Sequence, residues 1–392
     1  MITFGTYDAA RHPRTAVLVA GLRAHGIKVT ELNRPLGLST AERVRMLQQP
    51  WRLPVLAARL LRCWAALVGD AARHRQAEGR PAAVLVGYLG HFDVLLARLL
   101  YPRSTVVLDH LVFAGDTAAD RGAAGLRVRL LTGLDRLAVA CADVVVTDTD
   151  EHRRMLPDPG KGVVVLVGAP DEWRTASETL APPAGSRPDG GAGSSDGAGA
   201  SDGAGAADAS DGHHLSVVFY GLYTPLQGAP VIAEAVRDAV AAGAPLRVTM
   251  VGAGQDLPRT REILADTPGV TWHDWVEPGA LPALVAAHDV CLGIFSDTPK
   301  GLRVVPNKVY QGLAAGCVVI TADTPPQRRA LGEHVELVPA ADAAALAAEL
   351  VRLGTPGALA DARERAARGR DRIRPPAVAE PLVAELRRRG VS

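Results

Sequence analysis

Several side chains able to hold an anion are crowded into one short stretch. Between Ile294 and Gly316 lie Lys300, Arg303, Asn307, Lys308 and Gln311. The chain is otherwise built on arginine, with only four lysines, at 28, 161, 300 and 308, so half of them fall here. Residues 289–294 read as a buried parallel strand, and Pro306 or Asn307 opens a helix that Gly316 closes. Loops at the carboxyl ends of parallel strands are where open α/β sheets hold ligands. A helix amino terminus adds unpaired N–H groups and positive potential, which suit a phosphate. The plain alternative is ordinary solvated charge.

A second set of residues is spaced for close backbone approach. Val217-Val218-Phe219-Tyr220-Gly221 ends a strand, and Leu222-Tyr223-Thr224-Pro225-Leu226-Gln227-Gly228 turns into a helix with Pro230 near its start. Gly221 and Gly228 let the main chain come near a bound group, and the helix start again offers N–H donors. The strand ending at Val251 runs into Gly252-Ala253-Gly254, another small-residue turn. Leu257 stands where a dinucleotide fingerprint has its third glycine, which disfavours a nicotinamide enzyme. One such turn fits any α/β sheet. Three at successive strand ends of one sheet point to a shared ligand.

The elements that must position these residues fall into two sets. Candidate strands occupy 2–5, 27–32, 83–87, 105–109, 143–147 and 163–167, with helices at 13–25, 91–100 and 125–141. Further on, strands are expected at 215–220, 246–251, 270–272, 289–294, 317–321 and 335–338. Helices near 229–242, 258–265, 280–287, 306–315 and 341–353 separate them, and 374–389 reads as a basic final helix. The alternation predicts an α/β protein of two Rossmann-like, doubly wound parallel sheets facing a cleft. Expected boundaries are a first domain over 1–180, a second over 215–370 and a closing helix over 371–392. Residues 181–214, rich in Gly, Ala, Ser and Asp, have little to bury and are expected to form a disordered linker.

Composition bounds the function. A chain of 392 residues suggests two domains of ordinary size. A net charge of +1 argues against a general nucleic-acid binder, although residues 1–100 hold 14 Lys and Arg against 6 Asp and Glu. Cysteines 63, 141, 291 and 317 are far apart and fit reduced thiols of a cytoplasmic protein rather than disulfides or a zinc site. No tight Asp/His cluster of the kind a metal needs is visible, so no metal and no cofactor are expected. No run approaches the length of a bilayer span, and no signal region is expected at the amino terminus.

The whole chain outside the linker resembles a GT-B glycosyltransferase of the large retaining family 4. The likeness is densest in 217–321. Phe219-Tyr220-Gly221-x-Tyr223-x-Pro225-Leu226-x-Gly228 resembles the family's first donor loop, and Val251-Gly252-Ala253-Gly254 its second turn. Trp275-Val276 and Leu281-Pro282 match the stretch lining the nucleobase. The run from Pro306 to Gly316 matches the diphosphate and ribose helix of one branch, which Gly87 to Asp93 and Tyr7 to Arg14 also resemble. The resemblance implies a nucleotide-sugar donor held by Tyr220, Gly221, Tyr223, Gln227, Gly228, Gly252, Gly254, Trp275, Val276, Lys300, Asn307, Lys308 and Gln311. It implies retaining, metal-independent transfer to an acceptor hydroxyl. It also places His110 near the transferred sugar, with Asp109, Lys308 and Arg303 as further catalytic candidates and His91, Asp93 and Asp116 on the acceptor side.

The chain departs from that family at four positions. Gln311 stands where a glutamate is common, Arg303 where an earlier glutamate falls, and Leu222 and Gln227 where many members carry Arg and Lys. Either the cationic duty has moved to Lys300, Arg303 and Lys308, or the chain is a non-catalytic partner subunit. An epimerase on the same architecture is a third reading. The acceptor is open: a small molecule, a glycan or a lipid-linked group. Trp51 to Val68 interleaves apolar residues with Arg52, Arg59 and Arg62. Such a stretch can lie on an anionic membrane or pack over the first sheet.

Overall fold

The computed structural model describes residues 1–8, 13–38, 46, 49–120, 125–180 and 214–391. The expected linker lies outside these apart from His214. In the first domain the order is β1 (Ile2–Gly5), α1 (Arg14–Ala24), β2 (Thr30–Asn33), α2 (Leu53–Glu78), β3 (Ala83–Val86), α3 (Asp93–Leu100) and β4 (Thr105–Asp109). There follow α4 (Ala114–Asp120), α5 (Leu126–Cys141), β5 (Val144–Thr147), α6 (Asp150–Met155), β6 (Gly162–Val164) and α7 (Asp171–Leu180). The second domain runs β7 (Leu215–Tyr220), α8 (Ala229–Ala241), β8 (Leu246–Val251), α9 (Leu257–Ile263), β9 (Val270–His273), α10 (Leu281–Ala286) and β10 (Val290–Leu292). It ends with α11 (Asn307–Ala314), β11 (Val318–Ala322), α12 (Pro325–Ala330), β12 (Glu336–Val338), α13 (Ala343–Leu353), α14 (Pro356–Gly369) and α15 (Pro375–Arg388).

Two six-stranded sheets result, in the orders β2-β1-β3-β4-β5-β6 and β12-β11-β10-β7-β8-β9. Every pairing is parallel. This is the doubly wound architecture the alternation predicts. Strands such as Ala83–Val86 and Val144–Thr147 are buried at every position, because helices cover both faces of a parallel sheet. Most elements fall where expected, and β2 is the clearest shift, starting at Thr30 rather than at 27. Ile27 and Val29 are buried, but they fill the core ahead of the ladder that pairs Thr30–Asn33 with β1.

The basic stretch at 51–68 lies in α2 apart from Trp51 and Arg52, which form the turn ahead of it; α2 buries Leu67 and Ala71 against the first sheet and rests Leu56, Leu60 and Cys63 on Leu36, Leu38 and Met46. The final helix, α15, returns to the first domain. Its Val378, Ala379, Leu382, Val383 and Leu386 share a core with Val17, Leu18 and Leu22 of α1. In the other direction, Val167, Ala169 and Trp173 join the core of the second sheet. The chain therefore crosses between the domains at both of these places.

Candidate active site

Each sheet reverses its winding at one point, between β1 and β3 in the first and between β7 and β10 in the second. Ligands of open α/β sheets sit beyond the strand carboxyl ends at such points. In the second sheet the segments leaving β7, β8 and β10 touch there. Gly228 adopts a left-handed φ of +67°, and a Cβ on it would stand 2.9 Å from the Phe295 carbonyl carbon and the Ser296 nitrogen. A Cβ on Gly252 would stand 2.0 Å from the Gly221 carbonyl oxygen. Main chain lies on main chain here, so only glycine fits. The Phe295 N–H donates to the Gln227 carbonyl at 3.1 Å and ties the two loops together.

Lys308 enters beneath this layer from the first turn of α11. It is 5% exposed, and its Nζ donates to Gln227 Oε1 and lies 3.9 Å from the centre of the Phe219 ring. Burial lowers its pKa to about 7. A buried ammonium with so little counter-charge is costly, and an arriving anion removes that cost. Asn307 is exposed at the start of the same helix. One turn on, Gln311 Oε1 accepts from the Tyr220 hydroxyl at 3.0 Å, and Tyr220 stacks on Trp173 with ring centres 6.0 Å apart. Tyr223 packs edge-on against Phe219, and the Gly254 backbone rests on it. Trp275 is exposed, with Nε1 3.4 Å from Glu277, and Val276 is half-buried against the second core. Leu222 is also exposed.

Lys300 and Arg303 reach across to the first domain. Lys300 Nζ donates to the Thr117 hydroxyl at 3.1 Å. Arg303 pairs with Asp116 at 2.9 Å, and its carbonyl accepts from the Thr149 hydroxyl at 2.9 Å. Asp116, placed on the acceptor side from the sequence, is thus the partner of a donor-side arginine.

The first domain contributes a buried cluster to the cleft. His91 Nε2 lies 3.0 Å from Asp135 Oδ1, and His110 Nε2 lies 4.0 Å from the same oxygen. The two histidine rings meet edge-on at 5.0 Å, and His110 meets Phe113 at 4.5 Å. Burial, with His91 adding to it, drives the His110 pKa down to about 3, so the ring is neutral at physiological pH. Burial pushes Asp135 the other way, toward a higher pKa. The bonds from His91 and from the Gly115 and Ala114 amides outweigh it, and the net shift is downward. The sequence shows no close Asp/His group, yet the fold assembles one, with ligand atoms of His91, His110 and Asp135 within 4.8 Å of one another. The three come from separate elements, so spacing along the chain hides them. Both Asp135 oxygens already accept backbone bonds at 3.0 Å, from Ala114 and Gly115.

Two carboxylates of the predicted site are enclosed. Asp109 Oδ1 accepts from Arg14 Nε at 3.2 Å, and burial raises its pKa in spite of that partner. Asp93 Oδ2 accepts from the Thr6 amide at 2.7 Å and its hydroxyl at 2.9 Å, and Oδ1 accepts from Trp64 Nε1 at 2.8 Å. Beside the cluster, a cavity of about 360 Å³ opens among Phe113, Asp116, Val128, Thr132, Val139 and Met155.

Residues 214–355 match the family model of the glycosyl transferases group 1. The matched segment runs from β7 to the end of α13, over the second sheet and its helices. No curated protein matches the chain. Anabaena HepE, solved in complex with UDP-glucose, is 11% identical, with 99% of each chain covered and a TM-score of 0.57. A UDP-forming α,α-trehalose-phosphate synthase from Burkholderia vietnamiensis is 16% identical over 85% of this chain and 77% of that one, with a TM-score of 0.56. A glycosyltransferase from Rickettsia africae is 11% identical over 99% of this chain and 97% of that one, at 0.56. These likenesses show a GT-B fold over the chain, the architecture expected from the motifs.

Proposed function

We propose that the chain is a glycosyltransferase that moves a hexosyl group from a nucleotide diphosphate sugar to an acceptor hydroxyl, with retention and without a metal. The observation that carries this reading is Lys308, a buried lysine of lowered pKa beneath the glycine layer of the segment that matches the group 1 model. As the sugar bond breaks, negative charge gathers on the diphosphate, and prearranged cations and N–H dipoles lower the barrier. Lys308 and the amino terminus of α11 supply both. In this reading Gln311 and Tyr220, joined by a hydrogen bond, meet the ribose, and the exposed Trp275 meets the base. HepE, a structural neighbour, binds UDP-glucose, which makes a UDP-sugar the first donor to try. Retention by attack on the leaving-group face passes through an oxocarbenium-like state, which needs charge stabilisation more than a strong base. Neutral His110 suits a position beside the sugar. The cavity at Phe113 and Val128 suits the acceptor. The proposed setting is the cytoplasm.

A second reading, a nucleotide-sugar-binding subunit without activity, is favoured by Gln227 and Leu222 in the first donor loop and by Arg303 pairing with Asp116. Incubation with UDP-, GDP-, dTDP- and ADP-sugars, with and without simple acceptor alcohols, separates the readings. Release of nucleotide diphosphate and a product of unchanged anomeric configuration by NMR is the expected result. Conversion of the sugar nucleotide alone would mark an epimerase, and binding without turnover would mark the inactive subunit.

A further inference from the structure

Of the thirteen large apolar side chains left exposed among the described residues, nine lie on α2, α3 and α5 or on the turns that open them. These three helices cover the same face of the first sheet, where Leu67, Val94 and Ala138 share one core. Their outward sides therefore form a continuous surface. On α5, Leu126, Leu130 and Leu137 are 71%, 65% and 49% exposed. At 3.6 residues per turn they fall within about 40° of one another, with Arg127 on one flank and Arg129 and Arg136 on the other. Trp51, Val55 and Leu61 continue the apolar surface on and just ahead of α2, beside Arg52, Arg59 and Arg62.

Along α5 and the first half of α2 the exposed charge has one sign. No Asp or Glu occurs between 49 and 69, and the single acid of α5, Asp135, is buried. All six arginines are exposed, and none pairs with a carboxylate among the described residues. An apolar ridge flanked by arginines matches the boundary between acyl chains and phosphate headgroups, with leucines inward and guanidinium groups at the phosphates. We propose that this face docks peripherally on an anionic lipid bilayer. No described helix is long and apolar enough to cross a membrane, so contact is confined to the surface. The inner side of α5 walls the cavity at Val128, Thr132 and Val139, so the docked helix also borders the cleft. The docking stands whether or not the donor reading holds.

Sedimentation of the full chain with phosphatidylcholine vesicles, with and without phosphatidylglycerol, tests this. Binding is expected only to the anionic vesicles and is expected to weaken with salt. The double variants Leu126→Ser/Leu130→Ser and Arg127→Glu/Arg129→Glu should each lower vesicle affinity by about tenfold or more. Val351→Ser, an exposed site on the second domain, should bind as the parent does. Circular dichroism confirms that each variant is folded. Absence of binding to anionic vesicles, equal binding to both kinds, or folded double variants that bind unchanged would overturn the proposal. So would a dimer in vesicle-free solution that Leu130→Ser dissociates, which would assign the face to a second copy of the chain.

Discussion

Lys308 concentrates the argument at the scale of single residues. Its place in the sequence, at the start of a helix after a buried strand, already marked it as a candidate anion ligand. Its burial under Gly221 and its contact with Gln227 came only from the fold. We expect Lys308→Ala to weaken nucleotide-diphosphate binding by about 1.5–3 kcal/mol, the range of a hydrogen bond to a charged group. Unchanged affinity would move the phosphate elsewhere. The lowered pKa adds a signed prediction. In the folded chain the group titrates at about 7, against 10.5 for an ordinary lysine. Between those values the unfolded chain holds the proton and the folded chain does not. This group therefore makes folding more favourable as pH rises through that window. Donor binding has the opposite slope, because the anion restores the ammonium. Calorimetry at about pH 8 in two buffers of different ionisation enthalpy should show proton uptake on binding that is lost in Lys308→Ala. His110→Ala should lower kcat more than it raises KM, and an unaltered rate would remove His110 from the reaction. Asp135 had no signal in the sequence. It reads as one polar position on a helix of alternating leucines and arginines, and only the approach of α5 to the ends of β3 and β4 reveals its partners.

At the scale of elements, the strands were legible because parallel strands buried on both faces are continuous apolar runs. The helices between them were legible where Gly or Pro marks an end. Shorter and more polar helices were less so. Asp171–Leu180 carries Asp171 and Glu172 in its first turn and one buried aromatic, Trp173, too little to set a period. A helix can be read from local pattern, but its partner cannot. The final helix was expected to close the molecule, and the residue that receives it, Gly21 of α1, gave no sign. A Cβ there would stand 2.2 Å from the Pro375 carbonyl oxygen. Gly21→Ala gains helix propensity of about 1 kcal/mol, yet backbone cannot yield as a flexible side chain does. We expect a net loss of about 1–3 kcal/mol, read as a lower denaturant midpoint with an unchanged slope. A midpoint at or above the parent's would show that α15 shifts freely on α1.

For the molecule as a whole, the two domains meet through polar bridges near the cleft: Arg303 to Asp116, Lys300 to Thr117 and Arg329 to Glu151. Arg303 and Asp116 are each about a quarter exposed, so solvent screening holds their pair to about 1 kcal/mol or less. Asp116→Ala is therefore expected to leave thermal stability close to that of the parent while widening the cleft. Small-angle scattering should then give a larger radius of gyration, and an unchanged radius would show that other contacts set the aperture. None of these pairs was legible in the sequence, since each joins residues more than 170 positions apart. The two-domain plan was legible, and so were the strand ends of the second sheet at which the anion site is proposed. The measurement that bears most directly on the central claim is titration calorimetry of the intact chain and of Lys308→Ala with UDP-, GDP-, dTDP- and ADP-sugars. The account predicts saturable binding of one nucleotide class to the parent chain, weakened at least about tenfold in the variant. A folded parent chain that binds none of the four, or a variant that binds as tightly as the parent, would contradict it.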